Sequence, residues 1–114
     1  MEKHPWIKEF PGIITVCDQK GIILEMNDKA VEYFQDRGGK ELIGTNLIGC
    51  HPEKAVTKLK QVMEKQEKNV YTTERNGVKK IVYQTPWYKD GNYAGFAELI
   101  LELPDQMPHF VRGG

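Results

Sequence analysis

Two apolar segments meet across a tight-turn signal late in the chain. Ile81-Val-Tyr-Gln-Thr-Pro-Trp-Tyr88 precedes Asp90-Gly91, and Tyr93-Ala-Gly-Phe-Ala-Glu-Leu-Ile-Leu-Glu-Leu103 follows it. Asp-Gly favours a two-residue hairpin turn because both central positions take positive φ. The pattern therefore predicts two long antiparallel strands. The second is apolar on both faces for most of its length, so both faces are to be covered. That places it at the centre of a sheet, with helices on one side and a further surface on the other.

The rest of the chain reads as shorter elements. Glu2 to Phe10 suits a short helix with Trp6, Ile7 and Phe10 on one side, stopped by Pro11-Gly12. Ile13-Ile-Thr-Val-Cys17 and Ile22-Ile-Leu-Glu-Met26 are β-branched strands joined by the turn Asp18-Gln-Lys-Gly21. Asn27 stands as the N-cap of a helix running to Phe34, with Asp28 in its favourable first turn. Gly38-Gly39 ends it, and Glu41 to Gly49, broken by Gly44 and Gly49, predicts only one or two helical turns. Pro52 suits the first position of a longer helix. In it Ala55, Val56, Leu59, Val62 and Met63 fall at helical spacing opposite a lysine- and glutamate-rich face. Asn69 to Arg75 is a polar strand suited to a sheet edge, and Asn76-Gly77 is a second hairpin turn. Two strands, then helices, then three antiparallel strands predict an α+β domain: a five-stranded antiparallel sheet with helices packed on one face.

Composition narrows the function classes. The chain has 114 residues, 39% hydrophobic and 28% charged, enough for one domain with one core. Sixteen basic residues balance sixteen acidic ones, so charge gives no support to a nucleic-acid or acidic-membrane partner. No apolar run nears the roughly 20 residues needed to cross a bilayer. The two cysteines, Cys17 and Cys50, do not suggest a disulfide framework, and with no signal peptide visible the expected location is cytoplasmic.

Several local segments, in order, resemble the PAS domain, a small sensory module. Pro11-Gly-Ile-Ile14 followed by Asp18-Gln-Lys-Gly-Ile-Ile23 resembles its opening hairpin. Met26-Asn-Asp-Lys-Ala30 with Phe34 resembles its "N-x-A" helix start, and Glu41-Leu-Ile-Gly44 its "x-L-I-G" segment. Asp90-Gly-Asn-Tyr-Ala-Gly95 resembles its final "D-G-x-x-x-G" hairpin, and Gly49-Cys-His-Pro52 a "C-H-P" segment of one bacterial subgroup. The resemblance covers Pro11 to Leu103. It divides the chain into an N-terminal helical segment (1–10), a PAS-like domain (11–103) and a C-terminal tail (104–114). Where the family often continues into an output helix, this chain reads Glu102-Leu103-Pro104, and Pro104 and Pro108 disfavour such a helix. The sequence holds no kinase, cyclase or DNA-binding segment, and for a complete chain signalling would imply a separate downstream partner.

Catalysis finds little support. Cys50 and His51 are neighbours whose side chains diverge at a helix entry, and no Gly-x-Ser-x-Gly, phosphate-binding or dinucleotide motif is present. His4, His51 and His109 are scattered, without zinc spacing. The resemblance makes His51 the sharpest single candidate, because haem-binding PAS proteins take their axial histidine from the same helix. The preferred reading is that His51 caps the helix or bonds a loop carbonyl, with Pro52 fixing the turn, and neither haem through His51 nor flavin is favoured as cofactor. Cys50 does not sit in the Asn-Cys-Arg-type segment of the photoactive flavin subclass.

The expected pocket wall comprises Leu59 and Met63 from the long helix and Ile81, Tyr83 and Thr85 from one strand face, with hydroxyls at Tyr83 and Thr85. Core filling is the plainer role for Leu59, Met63 and Ile81. Glu98 stands alone in an apolar strand and, if buried, needs a partner: a neighbouring lysine or arginine, a ligand or a dimer mate. Trp6, Ile7 and Phe10 are expected to cover the sheet, within one chain or across a homodimer. The leading expectation is a non-catalytic sensory module that binds a small ligand or a protein partner. The alternatives are a structural homodimerisation module with a filled core and, less favoured, a small isomerase- or dehydratase-like α+β enzyme.

Overall fold

The structure, a computed structural model, describes residues 4–47 and 53–113. Its elements follow in chain order: α1 (Pro5–Lys8), β1 (Ile13–Asp18), β2 (Ile23–Met26), α2 (Asp28–Tyr33), two 3₁₀ turns (Gln35–Arg37 and Gly39–Leu42), α3 (Glu53–Lys65), β3 (Asn69–Arg75), β4 (Val78–Lys89) and β5 (Asn92–Leu103). The strands form one antiparallel sheet in the order β2-β1-β5-β4-β3, with β5 at its centre and the polar β3 at an edge. Among the described residues before Pro11 the helix is a single turn, Pro5–Lys8, ending short of the Phe10 limit that the sequence pattern allowed.

Asn27 joins the N-terminal half together. Its Oδ1 accepts from the Ala30 backbone N–H at 3.0 Å, capping α2, and from the Ile14 N–H at 3.0 Å. Its Nδ2 donates to the Gly12 carbonyl at 2.8 Å. One buried amide thus satisfies a helix start and the entry to β1 together.

Both hairpins turn as the Asn-Gly and Asp-Gly signals require, with positive φ at Asn76, Gly77, Asp90 and Gly91. The β4–β5 hairpin then departs from regular pairing. Tyr88 faces Tyr93 but Trp87 faces Gly95, so Ala94 is an extra residue and a bulge interrupts the ladder. Gly95 has φ +154, and a methyl carbon there would fall 2.0 Å from the Cys17 carbonyl oxygen. The close approach lets the Trp87 indole N–H cross β5 and donate to that same carbonyl at 2.9 Å.

The core lies between the inner face of the sheet and the helices, and includes Ile13, Cys17, Ile23, Phe34, Leu59, Val62, Val82, Phe96 and Ile100. Ala97, Leu99 and Leu101 of β5 are only half-buried on the opposite, outer face. Among the described residues no helix is long and apolar enough to cross a membrane.

Candidate ligand-binding site

Four side chains form a row across the inner face. Pairing sets Thr15 of β1 opposite Glu98 of β5, Glu98 opposite Gln84 of β4, and Gln84 opposite Asn69 of β3. Thr15, Glu98 and Gln84 are 2%, 5% and 3% exposed. Burying such groups is costly unless they are hydrogen-bonded. Asn69 Nδ2 donates to Gln84 Oε1 at 2.9 Å, and Gln84 Nε2 donates to Glu98 Oε2 at 2.7 Å. The Gln84 amide is used at both ends, so its orientation is fixed and its donor side is aimed at the carboxylate. Thr15 Oγ1 has no hydrogen-bond partner among the described residues.

Glu98 borders two spaces. An open concavity of about 460 Å³ has Val82, Glu98 and Ile100 as its floor, Tyr33, Phe34 and Ala55 on the helix side, and Tyr71 and Thr73 on the sheet edge. Asp36, Arg37 and Arg75 also line it and are exposed to solvent. Beneath Leu59, a second space of about 10 Å³ is lined by Thr15, Gln84, Phe96 and Glu98 among others. Burial pushes the Tyr71 hydroxyl above its ordinary pKa, with the negative charge of Glu98 and then Tyr33 adding to the effect. Tyr71 therefore stays a neutral hydrogen-bond donor at physiological pH. A further open hollow of about 760 Å³ lies beyond α2, beside Lys8, Met26, Val31, Gly39, Lys40 and Ile43, but every charged or amide side chain lining it is exposed.

A helix-covered antiparallel sheet with this strand order matches solved structures. A C-terminal domain from Streptococcus mutans superposes with a TM-score of 0.71 at 22% identity, covering 88% of this chain and 81% of that one. The PAS domain of BvgS from Bordetella pertussis gives 0.67 at 14% identity, covering 90% and 85%. The Aer2 receptor of Vibrio cholerae, described as a dual PAS-haem oxygen sensor, gives 0.60 at 14% identity, covering 82% and 95%. This chain has the PAS fold. No protein-family model matches the sequence, and no curated protein sequence does either.

Within the PAS fold the expected site residues separate. Leu59 and Glu98 meet at the inner face, while Met63 is half-buried against the core. Tyr83 and Thr85 do not join them. Val82 and Gln84 face the helices, so strand alternation turns Ile81, Tyr83 and Thr85 to the outer face, and the Thr85 hydroxyl donates to the Pro86 carbonyl at 3.1 Å. The bulge is the cause of this correction. Pairing continued without interruption from Lys89 and Asn92 would set Tyr83 opposite Glu98, and the extra residue sets Gln84 there instead. His51 and Cys50 lie outside the described residues. Among the described residues no group of three or more His, Cys, Asp or Glu side chains could hold a metal.

Sequence reasoning missed Thr15, Asn69, Tyr71 and Gln84. A threonine and a glutamine inside apolar strands were the available signal, since a polar side chain in a buried strand must find a partner.

Of Trp6, Ile7 and Phe10, Phe10 lies on the other side of the sheet, beside Leu101, with Trp6 against it. The Trp6 and Phe10 rings meet edge to face at 6.2 Å. Phe10 and Leu101 flank Gly12, where a methyl carbon would fall 2.8 Å and 2.5 Å from them. Phe10 is thus held over the outer face, while Trp6 remains 64% exposed.

Proposed function

We propose that this chain is a non-catalytic sensory module. It binds a small ligand between the inner sheet face and α2 and α3, and passes occupancy to a second copy across the outer face. The observation that carries this reading is the polar row Thr15–Glu98–Gln84–Asn69, in which the Asn69–Gln84–Glu98 hydrogen bonds orient Glu98 at the floor of the concavity. The likeness in fold to BvgS and to the Aer2 oxygen sensor supports a sensory role. A ligand shifts an equilibrium only through unequal affinity for two states. Here β5 carries both sides of the exchange, with Glu98 and Ile100 facing the ligand space and Leu99 and Leu101 facing outward. Homodimerisation through Trp6, Ile7 and Phe10 completes the reading, and the signal leaves through a separate cytoplasmic partner protein.

The narrow space beneath Leu59 favours one second reading, a homodimerisation module whose core is already filled. Native and denaturing mass spectrometry of the protein purified from its producing cells separates the two. A native mass exceeding the denatured mass by one small molecule per chain is the expected result. A dimer with no such excess replaces the sensor reading with the second one. In sedimentation, Trp6→Ala is expected to shift the protein from dimer toward monomer. An unchanged dimer would remove α1 from the interface.

A further inference from the structure

The two edges of the sheet are finished differently. Along β2 the chain covers its own edge. The Ile23 N–H donates to the Thr45 carbonyl at 2.8 Å, the Gly44 N–H to the Ile23 carbonyl at 2.8 Å, and the Leu47 N–H to the Gly21 carbonyl at 2.6 Å. β3 is the other end of the sheet, and among the described residues no strand pairs with its free side. Every β3 residue after Asn69 is exposed. We propose that this bare edge is a self-association site, at which β3 of a second copy pairs antiparallel and continues the sheet across a two-fold axis. The contact is separate from the outer-face contact at Phe10 and does not depend on a bound ligand.

The hairpin sets which backbone groups are free. The turn at Asn76-Gly77 closes on the pair Arg75–Val78, and the closing pair of a two-residue hairpin is hydrogen-bonded. Antiparallel bonding alternates, so Asn69, Tyr71, Thr73 and Arg75 bond β4, while the N–H and C=O groups of Val70, Thr72 and Glu74 point away from it. Such a row templates another strand unless lysine, proline or a bulge blunts it. β3 contains neither residue, and its register against β4 is unbroken. The edge also complements itself. With Thr72 opposite Thr72 of the second copy, Val70 faces Glu74, and all three outward residues are paired, each pair exchanging two hydrogen bonds. Tyr71 then faces Thr73 and Asn69 faces Arg75, so no like charges meet. Sliding toward the turn first leaves Val70 without a strand partner and then sets Glu74 against Glu74. Sliding away from it leaves Glu74 without one. In the matched register the inner faces lie on one side. The edge wall of the 460 Å³ concavity, Tyr71 and Thr73, is thereby extended by Thr73 and Tyr71 of the second copy.

A strand of seven residues a side falls short of the roughly 20–30 a side of a stable interface, so the contact forms at high protein concentration. Amide hydrogen exchange of the full chain, followed by nuclear magnetic resonance, tests it. The Val70, Thr72 and Glu74 amides are expected to exchange at least about tenfold more slowly at millimolar than at micromolar protein, with Tyr71 and Thr73 changing far less. Thr72→Lys sets two lysines opposite each other at the two-fold axis, on an exposed residue, and is expected to abolish that slowing. Slowing spread evenly over β3 overturns the proposal, because only edge pairing singles out alternate amides. Slowing that survives Thr72→Lys overturns the register. Exchange that does not depend on concentration overturns self-pairing and leaves the edge to an extended segment of a different protein. The wild-type dilution series decides between these even if the variant does not fold.

Discussion

At the residue scale, Gly95 and Tyr71 make the sharpest demands. A side chain at Gly95 meets the backbone of β1, which neither strand can yield without breaking the ladder. Gly77 also has positive φ but has open space around it. Gly95→Ala is therefore expected to cost about 4 kcal/mol or more, and Gly77→Ala about 1 kcal/mol, in urea denaturation. Equal costs would show that Gly95 serves only its own turn. For Tyr71, a folded pKa above the unfolded one means that the folded state holds its proton longer. Its contribution to stability is complete below about pH 10 and is lost as pH rises through the folded value. In a phenolate absorbance titration, the Tyr71 transition is expected above the ordinary tyrosine range, and Glu98→Gln is expected to lower it. A Tyr71 transition unmoved by Glu98→Gln would mean that the two groups do not sense each other.

At the element scale, Asn27 ties α2 to β1 and to the segment before it. Asn27→Ala leaves the Ile14 and Ala30 N–H groups and the Gly12 carbonyl without this partner, and is expected to cost about 3 kcal/mol. A loss below about 1 kcal/mol, on the scale of a simple cap, would mean that only the helix start depends on it. The hairpins, Asn27 and the central place of β5 were legible in the sequence because each rests on local chemistry: positive-φ turn pairs, a capping side chain, a strand apolar on both faces. The inward face of β4 was not legible. Ile81, Val82 and Tyr83 are all apolar, so no alternation marks a side, and a single inserted residue reverses the count from the turn. The candidate site was legible only at Leu59 and Glu98, because the groups that orient Glu98 come from three other strands.

At the scale of the whole molecule, the sheet separates two tasks. Its inner face carries a polar row beneath helices, and its outer face carries apolar side chains beside Phe10. Both are built on the same central strand, so a change on one side has a short path to the other. A small ligand is expected to bind in the concavity above Glu98. Backbone amide chemical-shift mapping of the isotopically labelled chain against a set of small aromatic and aliphatic compounds checks this. Perturbations are expected to centre on Phe34, Tyr71, Val82, Gln84 and Glu98, with the hollow beside Gly39 and Lys40 unaffected. Perturbations centred on that hollow, or none at all, would contradict it.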